Sequence, residues 1–461
     1  MGSSRVIPRR LSILDGTFLN IETRETPMHV GGLQVFRLPP NAPKDFVKNV
    51  VRTLRSPSAL ARPWNLKLAD VFLSRLAPAM IEDPNIDLDY HVRHSALPEP
   101  GGERELGELV SHLHSQTLDR SRPLWTCHVI EGLEGNRFAL YMKIHHALVD
   151  GQRGMKLLTR CLGSKPANGN WCAPWDAAAE QRKSSVQKTS GAKPPAGPAV
   201  AWTRAARNAL APLLRREPGK EPIRLPFEAP ASILNGPVTG ARRVATQRLE
   251  LARVKAVAAH YQASVNDVFL TLCGAALRRH LSEGGSLPEQ SLIAGVPVSL
   301  RGEHSSGDDG NAVGFLWAVL GTHLDDPVER LQAIRRSMEV SKLHLQSLPP
   351  KVRSALTMAT MAPVIAVLMS GQGPRVRPSM NVVISNVPGP AQPLYLGRAE
   401  LEGMYPVSIP LQGLGLNITC VSYAGQLTLG ITGSRDGVPH LQRIAVYIGA
   451  ALDELETSMV P

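Results

Sequence analysis

Hydrophobic and polar positions alternate with a period of two along several short stretches of the chain, and this pattern is typical of β-strands. The clearest stretch leads to the pair His145–His146 and carries apolar side chains at Phe138, Leu140, Met142 and Ile144. Further strands are predicted over 32–38, 292–298, 313–320, 380–387 and 416–423. The dipeptide Ala424–Gly425 predicts a tight turn that joins the last of these strands to another over 426–432.

Apolar residues spaced three and four positions apart predict amphipathic helices in the intervening segments. The first contains Leu11, Leu14, Phe18 and Leu19, and others are predicted over 42–54, 105–118, 154–162 and 264–281. Ser264, followed three residues later by Asp267, is typical of a helix start. Because helices and strands alternate in both halves of the chain, the pattern predicts an α/β (α+β) protein with mixed sheets.

The length of 461 residues exceeds what one hydrophobic core usually holds, so we expect two domains. We predict an N-terminal domain over 1–163, a linker over 164–243 with a possible helix, and a C-terminal domain over 244–461. The first part of the linker is rich in Pro, Gly, Ser, Ala and Lys, a composition that buries little apolar surface.

Charge is concentrated in the same linker, which carries thirteen Lys and Arg against five Asp and Glu in a chain of net charge +12. This basic segment suits either contact with anionic lipid headgroups or simple solvation. Nucleic acid is not expected as a partner, because aromatic residues make up only 5% of the chain and no nucleic-acid-binding motif accompanies the charge.

The five cysteines are scattered without C-x-x-C pairs, which predicts a reducing compartment, no disulfide framework and no zinc site. Arg9–Arg10 faintly resembles an export signal, but Asp15 interrupts the apolar region at once, so we expect a cytoplasmic protein. The most apolar segment, 355–369, is short for a membrane span and contains Pro363. We predict that it is a buried helix, with a membrane-dipping helix as the alternative.

The segment from His145 to Gly151 contains the candidate chemistry, with two histidines, Asp150 and a glycine that permits a turn. A neutral imidazole is the usual side chain for taking a proton near neutral pH. Strand alternation sends adjacent histidines to opposite faces, so one of them is expected to serve a site. Asp150 would orient the loop or pair with an arginine. A metal site and a purely structural role are the alternatives, although adjacent histidines are poor co-ligands.

Several segments together resemble the bacterial wax ester synthase/acyl-CoA:diacylglycerol acyltransferases, a family within the larger histidine-motif acyltransferase superfamily. The similarity extends over nearly the whole chain and is weakest in the linker. The segments that carry it are Leu11–Glu22, Pro27–Leu33, Pro123–Trp125, His145–Gly151, Leu234–Pro237 with Arg242–Arg243, Asn266–Asp267, Val296–Arg301 and Asn381–Pro390.

The resemblance implies two domains like chloramphenicol acetyltransferase, with the active site in a tunnel between them. It assigns the general base to His146, a supporting place to His145, the motif turn to Gly151 and a structural role to Asp150, with Arg301 as its expected partner. Four further residues are expected near the site, although Asn266 and Asp267 are equally consistent with a helix start, and Ser385 and Asn386 with a turn.

The implied activity is transfer of a fatty acyl group from acyl-CoA to a long-chain alcohol, to diacylglycerol or to both, without a covalent acyl-enzyme, metal or other cofactor. The insoluble products imply peripheral association with the inner membrane or lipid inclusions. Two alternatives remain open at this point: a condensation-type enzyme that takes acyl groups from a carrier protein, and a non-catalytic protein that binds lipid surfaces.

Overall fold

A computed structural model of the chain describes residues 9–11, 13–69, 78–149, 151–167, 171–178, 221–299 and 313–459. The helices within these ranges are α1 (Ile13–Ile21), α2 (Phe46–Leu54), α3 (Leu88–His91), α4 (Glu103–Ser115), α5 (Gly151–Thr159), α6 (Leu251–His260), α7 (Val265–Glu283), α8 (Pro327–Ser347), α9 (Pro350–Met369) and α10 (Gln442–Thr457). The strands are β1 (Arg9–Arg10), β2 (His29–Arg37), β3 (Leu66–Leu68), β4 (Ala79–Glu82), β5 (Val92–Ala96), β6 (Trp125–Leu133), β7 (Arg137–His145), β8 (Arg242–Glu250), β9 (Ile293–Ser299), β10 (Val313–Val319), β11 (Val382–Pro388), β12 (Tyr395–Leu396), β13 (Ala399–Val407), β14 (Leu416–Tyr423) and β15 (Gln426–Ser434).

The first large sheet has the strand order β12-β13-β2-β7-β6-β5. Strand β7 lies inside it, antiparallel to both β2 and β6. The face that carries Phe138, Leu140, Met142 and Ile144 packs into one hydrophobic core, and the opposite face contributes Ala139 and Tyr141 to another. The alternation along this strand therefore reflects a sheet that is covered on both sides. A small sheet of order β1-β4-β3 is separate from this one in hydrogen bonding, but its Leu66 and Met80 pack into the same core.

The second large sheet has the strand order β10-β9-β11-β14-β15-β8 and holds the largest core. Helix α7 lies in this core with Phe269, Leu272 and Leu277 fully buried. Ser264 caps its first turn, since the Ser264 hydroxyl accepts from the Asp267 amide at 3.2 Å while the Asp267 carboxylate accepts from the Ser264 amide at 2.9 Å. The helix start predicted at Ser264 is confirmed.

The two large sheets are interleaved in sequence, because β12 and β13 come from the C-terminal part of the chain yet join the N-terminal sheet. Strand β13 pairs antiparallel with β2, so that Val407 lies opposite Gly31. The predicted boundary at residue 244 therefore does not separate the strands of the two sheets. Alternation within 399–407 predicts a strand but carries no information about which sheet it joins.

The ends of the predicted linker are packed into the structure. Trp175 is fully buried in the first core, and its carbonyl accepts from the Ala61 amide at 2.8 Å. At the other end, Asn235 is buried and donates to the carbonyls of Met380 and Gly413. The amino-acid composition of the linker did not predict these two buried residues, since a single tryptophan or asparagine changes the average composition of 80 residues very little. The charged stretch over 179–220 lies outside the described residues.

The helix predicted over 355–369 is present, but the prediction that it is buried is wrong. Helix α9 is twenty residues long, and of these Val352, Leu356 and Val364 are buried. By length and composition alone, it is the one helix among the described residues that could cross a membrane. The apolar composition of the segment indicates contact with other apolar groups, but it does not show whether these belong to the protein core. In the structure most of this helix is not covered by other parts of the chain.

Candidate active site

His145 is the last residue of β7 and is fully buried. Its amide donates to the carbonyl of Leu124 at 3.0 Å, so the Pro123–Trp125 segment directly supports the motif. Trp125 in turn stacks on His91 with ring centroids 4.4 Å apart and donates from its indole to the Trp64 carbonyl. The Pro-Leu-Trp element is therefore a packed strand entry that holds the first motif histidine in place.

The His145 ring is oriented by two contacts. Its Nδ1 accepts a hydrogen bond from the Ala147 amide at 3.1 Å, which places the proton of the neutral ring on Nε2. Nε2 lies 3.5 Å from Oε1 of Glu22, a carboxylate whose side chain is only 6% exposed. Both nitrogens of His145 are therefore directed at groups of the protein interior, Nδ1 at a backbone amide and Nε2 at a carboxylate.

Glu22 connects the motif to two further parts of the chain. Its Oε1 accepts from the Met28 amide at 2.9 Å, and its Oε2 accepts from Nε and a terminal nitrogen of Arg120 at 2.9 and 2.8 Å. Burial alone would raise the pKa of Glu22, but the opposing contributions of His145, Met28 and Arg120 together lower it from 4.5 to about 2. Glu22 is therefore a carboxylate throughout the neutral pH range.

His146 follows the strand in a turn and is half-buried. Its amide donates to the Met28 carbonyl at 2.8 Å. Its ring stacks on Phe18 of α1, with centroids 4.1 Å apart and planes inclined by 25°. The two motif histidines therefore have separate environments: His145 is enclosed and bonded to the protein, whereas His146 keeps partial access. His146 is the better placed of the two to meet a substrate.

The remaining motif residues frame this turn. Gly151 begins α5, as expected of a residue at the motif turn. Asp150 and Arg301 lie outside the described residues, so their expected salt bridge stays a prediction. Helix α5 lies against β11, the strand that contains Ser385 and Asn386. The fold thus brings a strand of the second sheet next to the helix that follows the motif.

The structure places the other expected site residues, which lie in the second half of the chain, on two different elements. Asp267 completes the capping box of α7 by accepting from the Ser264 amide, and it lies 3.9 Å from the Lys342 ammonium group, which gives it a structural role. Asn266 is the second residue of the same helix and is half-buried. Ser385 and Asn386 lie within β11, in parallel register with Thr419 and Cys420, rather than in a turn. Their part in substrate binding remains a prediction.

Buried polar groups stabilise the sheet face beneath His145. His114 contacts the Tyr141 hydroxyl at 2.7 Å through Nδ1 and the Ser408 carbonyl at 2.8 Å through Nε2. The Lys143 ammonium donates to the carbonyls of Leu113 and Gln116 at the end of α4. Burial lowers the pKa of His114 to about 3 and that of Lys143 to about 7. These groups fasten α4 to β7.

The described residues contain no group of three or more His, Cys, Asp or Glu arranged to hold a metal ion. All five cysteines are free, and burial raises the pKa of Cys127, Cys273 and Cys420. A buried thiol with a raised pKa is a poor nucleophile.

Phe18 and Glu22 lie in the Leu11–Glu22 segment that carries part of the family resemblance, but no role at the site was predicted for either residue. Both come from the first 22 residues, and Glu22 reaches a partner 98 residues away in Arg120. A single sequence contains no direct signal for a contact between residues so far apart. The weak signal available was the position of Glu22 at the end of the first predicted helix, where an acidic residue is unfavourable for the helix dipole.

Comparison with known proteins identifies the chain's relatives. A family description of the wax ester synthase/diacylglycerol acyltransferase catalytic domain matches residues 11–269, and that of the family's C-terminal domain matches residues 309–456. A probable diacylglycerol O-acyltransferase of Mycobacterium tuberculosis is 42% identical over 455 residues, which cover 96% of this chain and 98% of the relative.

Solved structures agree with this assignment. The wax ester synthase/diacylglycerol acyltransferase from Marinobacter aquaeolei VT8 superimposes with a TM-score of 0.80 at 38% identity, covering 98% of this chain and 99% of that one. The first condensation domain of the calcium-dependent antibiotic synthetase, at 14% identity and a TM-score of 0.55 with 98% and 97% coverage, shares the fold alone. The chain belongs to the wax ester synthase/diacylglycerol acyltransferase family.

Proposed function

We propose that this protein transfers a fatty acyl group from acyl-CoA to the hydroxyl of a long-chain alcohol, of diacylglycerol or of both. The observation that carries the proposal is the half-buried His146, held by Phe18 and Met28 in the motif turn of a chain that belongs to this acyltransferase family. Family relatives named for both wax ester and diacylglycerol acylation support both acceptor classes.

The chemistry needs one proton acceptor. The imidazole of His146 takes the hydroxyl proton while the alcohol oxygen forms a bond to the thioester carbonyl carbon. The resulting tetrahedral intermediate collapses by breaking the carbon–sulfur bond, and the imidazolium returns its proton to the departing thiolate. His145 and Glu22 act as positioning residues, since they fix the backbone turn from which His146 projects.

The proposal includes direct transfer without an acyl-cysteine. The raised pKa values of the buried thiols support this, because a thiol that stays protonated attacks a thioester slowly. We also propose that the reaction uses no metal or other cofactor, because a neutral imidazole can carry out the proton transfer that the reaction requires.

We further propose that the protein is cytoplasmic and associates peripherally with the inner membrane or with lipid inclusions, through α9. The outer face of this helix exposes apolar residues at helical spacing: Ala355, Met358, Ala359, Ala362, Ala366 and Met369. No acidic residue occurs from 340 to 399, whereas six Lys and Arg do. An apolar stripe flanked by positive charge is complementary to an anionic lipid surface.

The position of α9 supports this arrangement. Its inner residues Met361, Val364 and Leu368 pack with Trp317 on the second sheet. Its neighbour is α1, the helix whose Phe18 stacks on His146. Lipid contact at α9 would therefore bring the insoluble substrates close to the proposed general base.

The activity is tested by acceptor-dependent thiol release from palmitoyl-CoA, with hexadecanol and dipalmitoylglycerol supplied in parallel. Wild-type protein should release thiol, and His146→Ala should lose roughly a hundredfold or more of the rate, the usual contribution of a general base. His323→Ala, at an exposed loop position, is the matched control and should retain the wild-type rate. Near-full turnover by a folded His146→Ala variant would refute the mechanism.

Membrane contact is tested by flotation with phosphatidylglycerol vesicles. Met358→Glu combined with Met369→Glu should reduce vesicle binding, because both side chains are 56% exposed and would carry charge into the lipid. Val446→Glu, on the exposed face of α10, is the control and should bind like wild type. Equal binding by all three proteins would exclude α9 as the contact.

A further inference from the structure

A cavity of about 640 Å³ lies between α4 and β8 and is lined by four arginines. We call it the arginine pocket and define it by Arg24, Arg242, Arg243 and Arg435. We propose that this pocket binds the phosphate groups of CoA and so anchors the acyl donor. The inference rests on the proposed function, because CoA is the donor named there.

The charge of the arginine pocket is largely uncompensated. Glu108 is the one carboxylate among its lining residues, and it is already paired with Arg104 at 3.2 Å. Arg435 has a partner in Asp436. Within the described part of the chain, no carboxylate lies within ion-pair distance of the other three arginines. The pocket therefore presents several guanidinium groups in one concave surface, which suits a ligand with more than one phosphate.

Arg242 is the most informative member because it is only 3% exposed. Its guanidinium donates to backbone carbonyls, namely those of Thr239, Ala241 and Glu25, the last at 2.6 Å. Burial lowers its pKa to about 10, so the group remains charged at neutral pH. A buried charge without a counter-ion is unfavourable, and an anion in the adjacent cavity would offset that cost.

The wall that carries Arg242 and Arg243 is held rigidly. Strand β8 is the edge of the second sheet, and its outward amides are capped by hydroxyls of α4. The Arg242 amide donates to Ser115 Oγ and the Val244 amide donates to Ser111 Oγ, both at 2.9 Å. Because the backbone on both sides is fixed, the arginines are presented at a defined separation before any ligand arrives.

One loop, residues 22–28, connects the arginine pocket to the motif. On the motif side, Glu22 contacts His145 and the Met28 carbonyl accepts from the His146 amide. On the pocket side, Arg24 lines the cavity and the Glu25 carbonyl accepts from Arg242. A CoA whose phosphates occupy the pocket would thus be separated from His146 by this loop, with the flexible pantetheine arm available to carry the thioester to it.

Among the substrates of the proposed reaction, the one that carries negative charge is the expected ligand of the arginine pocket. Fatty alcohols and diacylglycerol are uncharged, whereas CoA has a pyrophosphate and a ribose 3′-phosphate. A phospholipid headgroup is another source of phosphate, but it presents one phosphodiester rather than several phosphate groups. Four arginines in one cavity therefore favour CoA, and the experiment includes phospholipid as a separate arm.

The test compares two donors that differ in their phosphates. Arg24→Gln combined with Arg243→Gln should lower the ratio of kcat/KM for palmitoyl-CoA to kcat/KM for S-palmitoyl-pantetheine about tenfold or more, because only the former donor carries the phosphate cluster. Arg248→Gln, an exposed position on the same strand, is the matched control and should leave the ratio unchanged. An unchanged ratio in the double variant overturns the proposal.

Direct binding separates this proposal from the proposed function. Calorimetry on wild-type protein should give weaker binding of 3′-dephospho-CoA than of CoA, and the double variant should lose about tenfold or more in CoA affinity. Absence of turnover with either donor, together with phosphate-dependent CoA binding, would refute the proposed activity but leave the site intact. Equal CoA binding by wild type and variant, or a variant that loses binding to phosphatidylglycerol vesicles alone, overturns the CoA assignment.

Discussion

The buried carboxylate of Glu22 offers the sharpest test of how this site is held together. We consider Glu22→Gln, which keeps the size of the side chain and removes its charge. The native carboxylate accepts three hydrogen bonds, from the Met28 amide and from two nitrogens of Arg120, and faces His145 Nε2. The amide retains some of these contacts but leaves Arg120 without its counter-charge.

The magnitude follows from the pKa of Glu22, which lies at about 2 in the folded protein against 4.5 for an ordinary glutamate. At about 1.4 kcal/mol per pKa unit, this difference corresponds to roughly 3 kcal/mol of stability near neutral pH. The side chain is 6% exposed, so little of this is lost to solvent screening. Because glutamine keeps part of the hydrogen bonding, we expect a loss of about 2 kcal/mol.

The pH dependence has a definite sign. A carboxyl group with a lowered folded pKa contributes its full stability above the unfolded value of 4.5 and loses it as the pH falls toward 2. The difference in unfolding free energy between wild type and Glu22→Gln should therefore be constant from about pH 6 to about pH 8. Below about pH 4.5 it should shrink by about 1.4 kcal/mol per pH unit.

Urea unfolding, followed by tryptophan fluorescence, measures this difference, because Trp64, Trp125 and Trp175 all lie in the core of the first sheet. Glu82→Gln is the matched control, since Glu82 also binds an arginine, Arg62, but both side chains are at least half exposed and the expected effect is under about 1 kcal/mol. Turnover of Glu22→Gln should fall as well, because the His145 ring loses its orienting contact. Equal stability of wild type and Glu22→Gln near pH 7, or a difference that persists unchanged near pH 3.5, would refute the reasoning.

Two further predictions concern buried polar groups. Lys143 has a pKa lowered by burial to about 7, so from about pH 7 to about pH 9 wild type should gain about 2 kcal/mol of unfolding free energy relative to Lys143→Met, and parallel stability curves would contradict the assignment. Asn381 is fully buried, accepts from the Ile293 amide at 2.8 Å and donates to the Pro230 carbonyl at 2.8 Å. Asn381→Ala should lower the unfolding free energy by about 2–4 kcal/mol, whereas the exposed control Asn85→Ala should change it by under about 0.5 kcal/mol.

Local structure could be predicted well where it depends on neighbouring residues. The strand predicted over 416–423 has those bounds in the structure, and the hairpin after it turns through Ala424 and Gly425, both at positive φ. The helix cap at Ser264 was also predicted correctly from the sequence. These features depend on alternation, turn chemistry and hydrogen bonds over three or four residues, all of which a short window of sequence contains.

The candidate site could be predicted in part. The motif identified His145 and His146, and strand periodicity indicated that they would not act together. Glu22, Phe18 and the arginine pocket were not predicted, because each depends on segments far apart in the chain. The Ser115 hydroxyl and the Arg242 amide, for example, are 127 residues apart in sequence yet hydrogen-bonded.

Local patterns in the sequence were sufficient to predict most helices and strands, the family, and the residue type proposed for proton transfer, since these depend on periodicity and on a compact motif. The tertiary structure decided that β13 joins the N-terminal sheet and that α9 leaves its apolar face uncovered. It also gathers Arg24, Arg242 and Arg243 where no carboxylate of the described residues is within ion-pair distance. The physical reason is that burial and electrostatic compensation depend on which distant segments meet. That outcome is set by the packing of the whole chain and not by any local pattern.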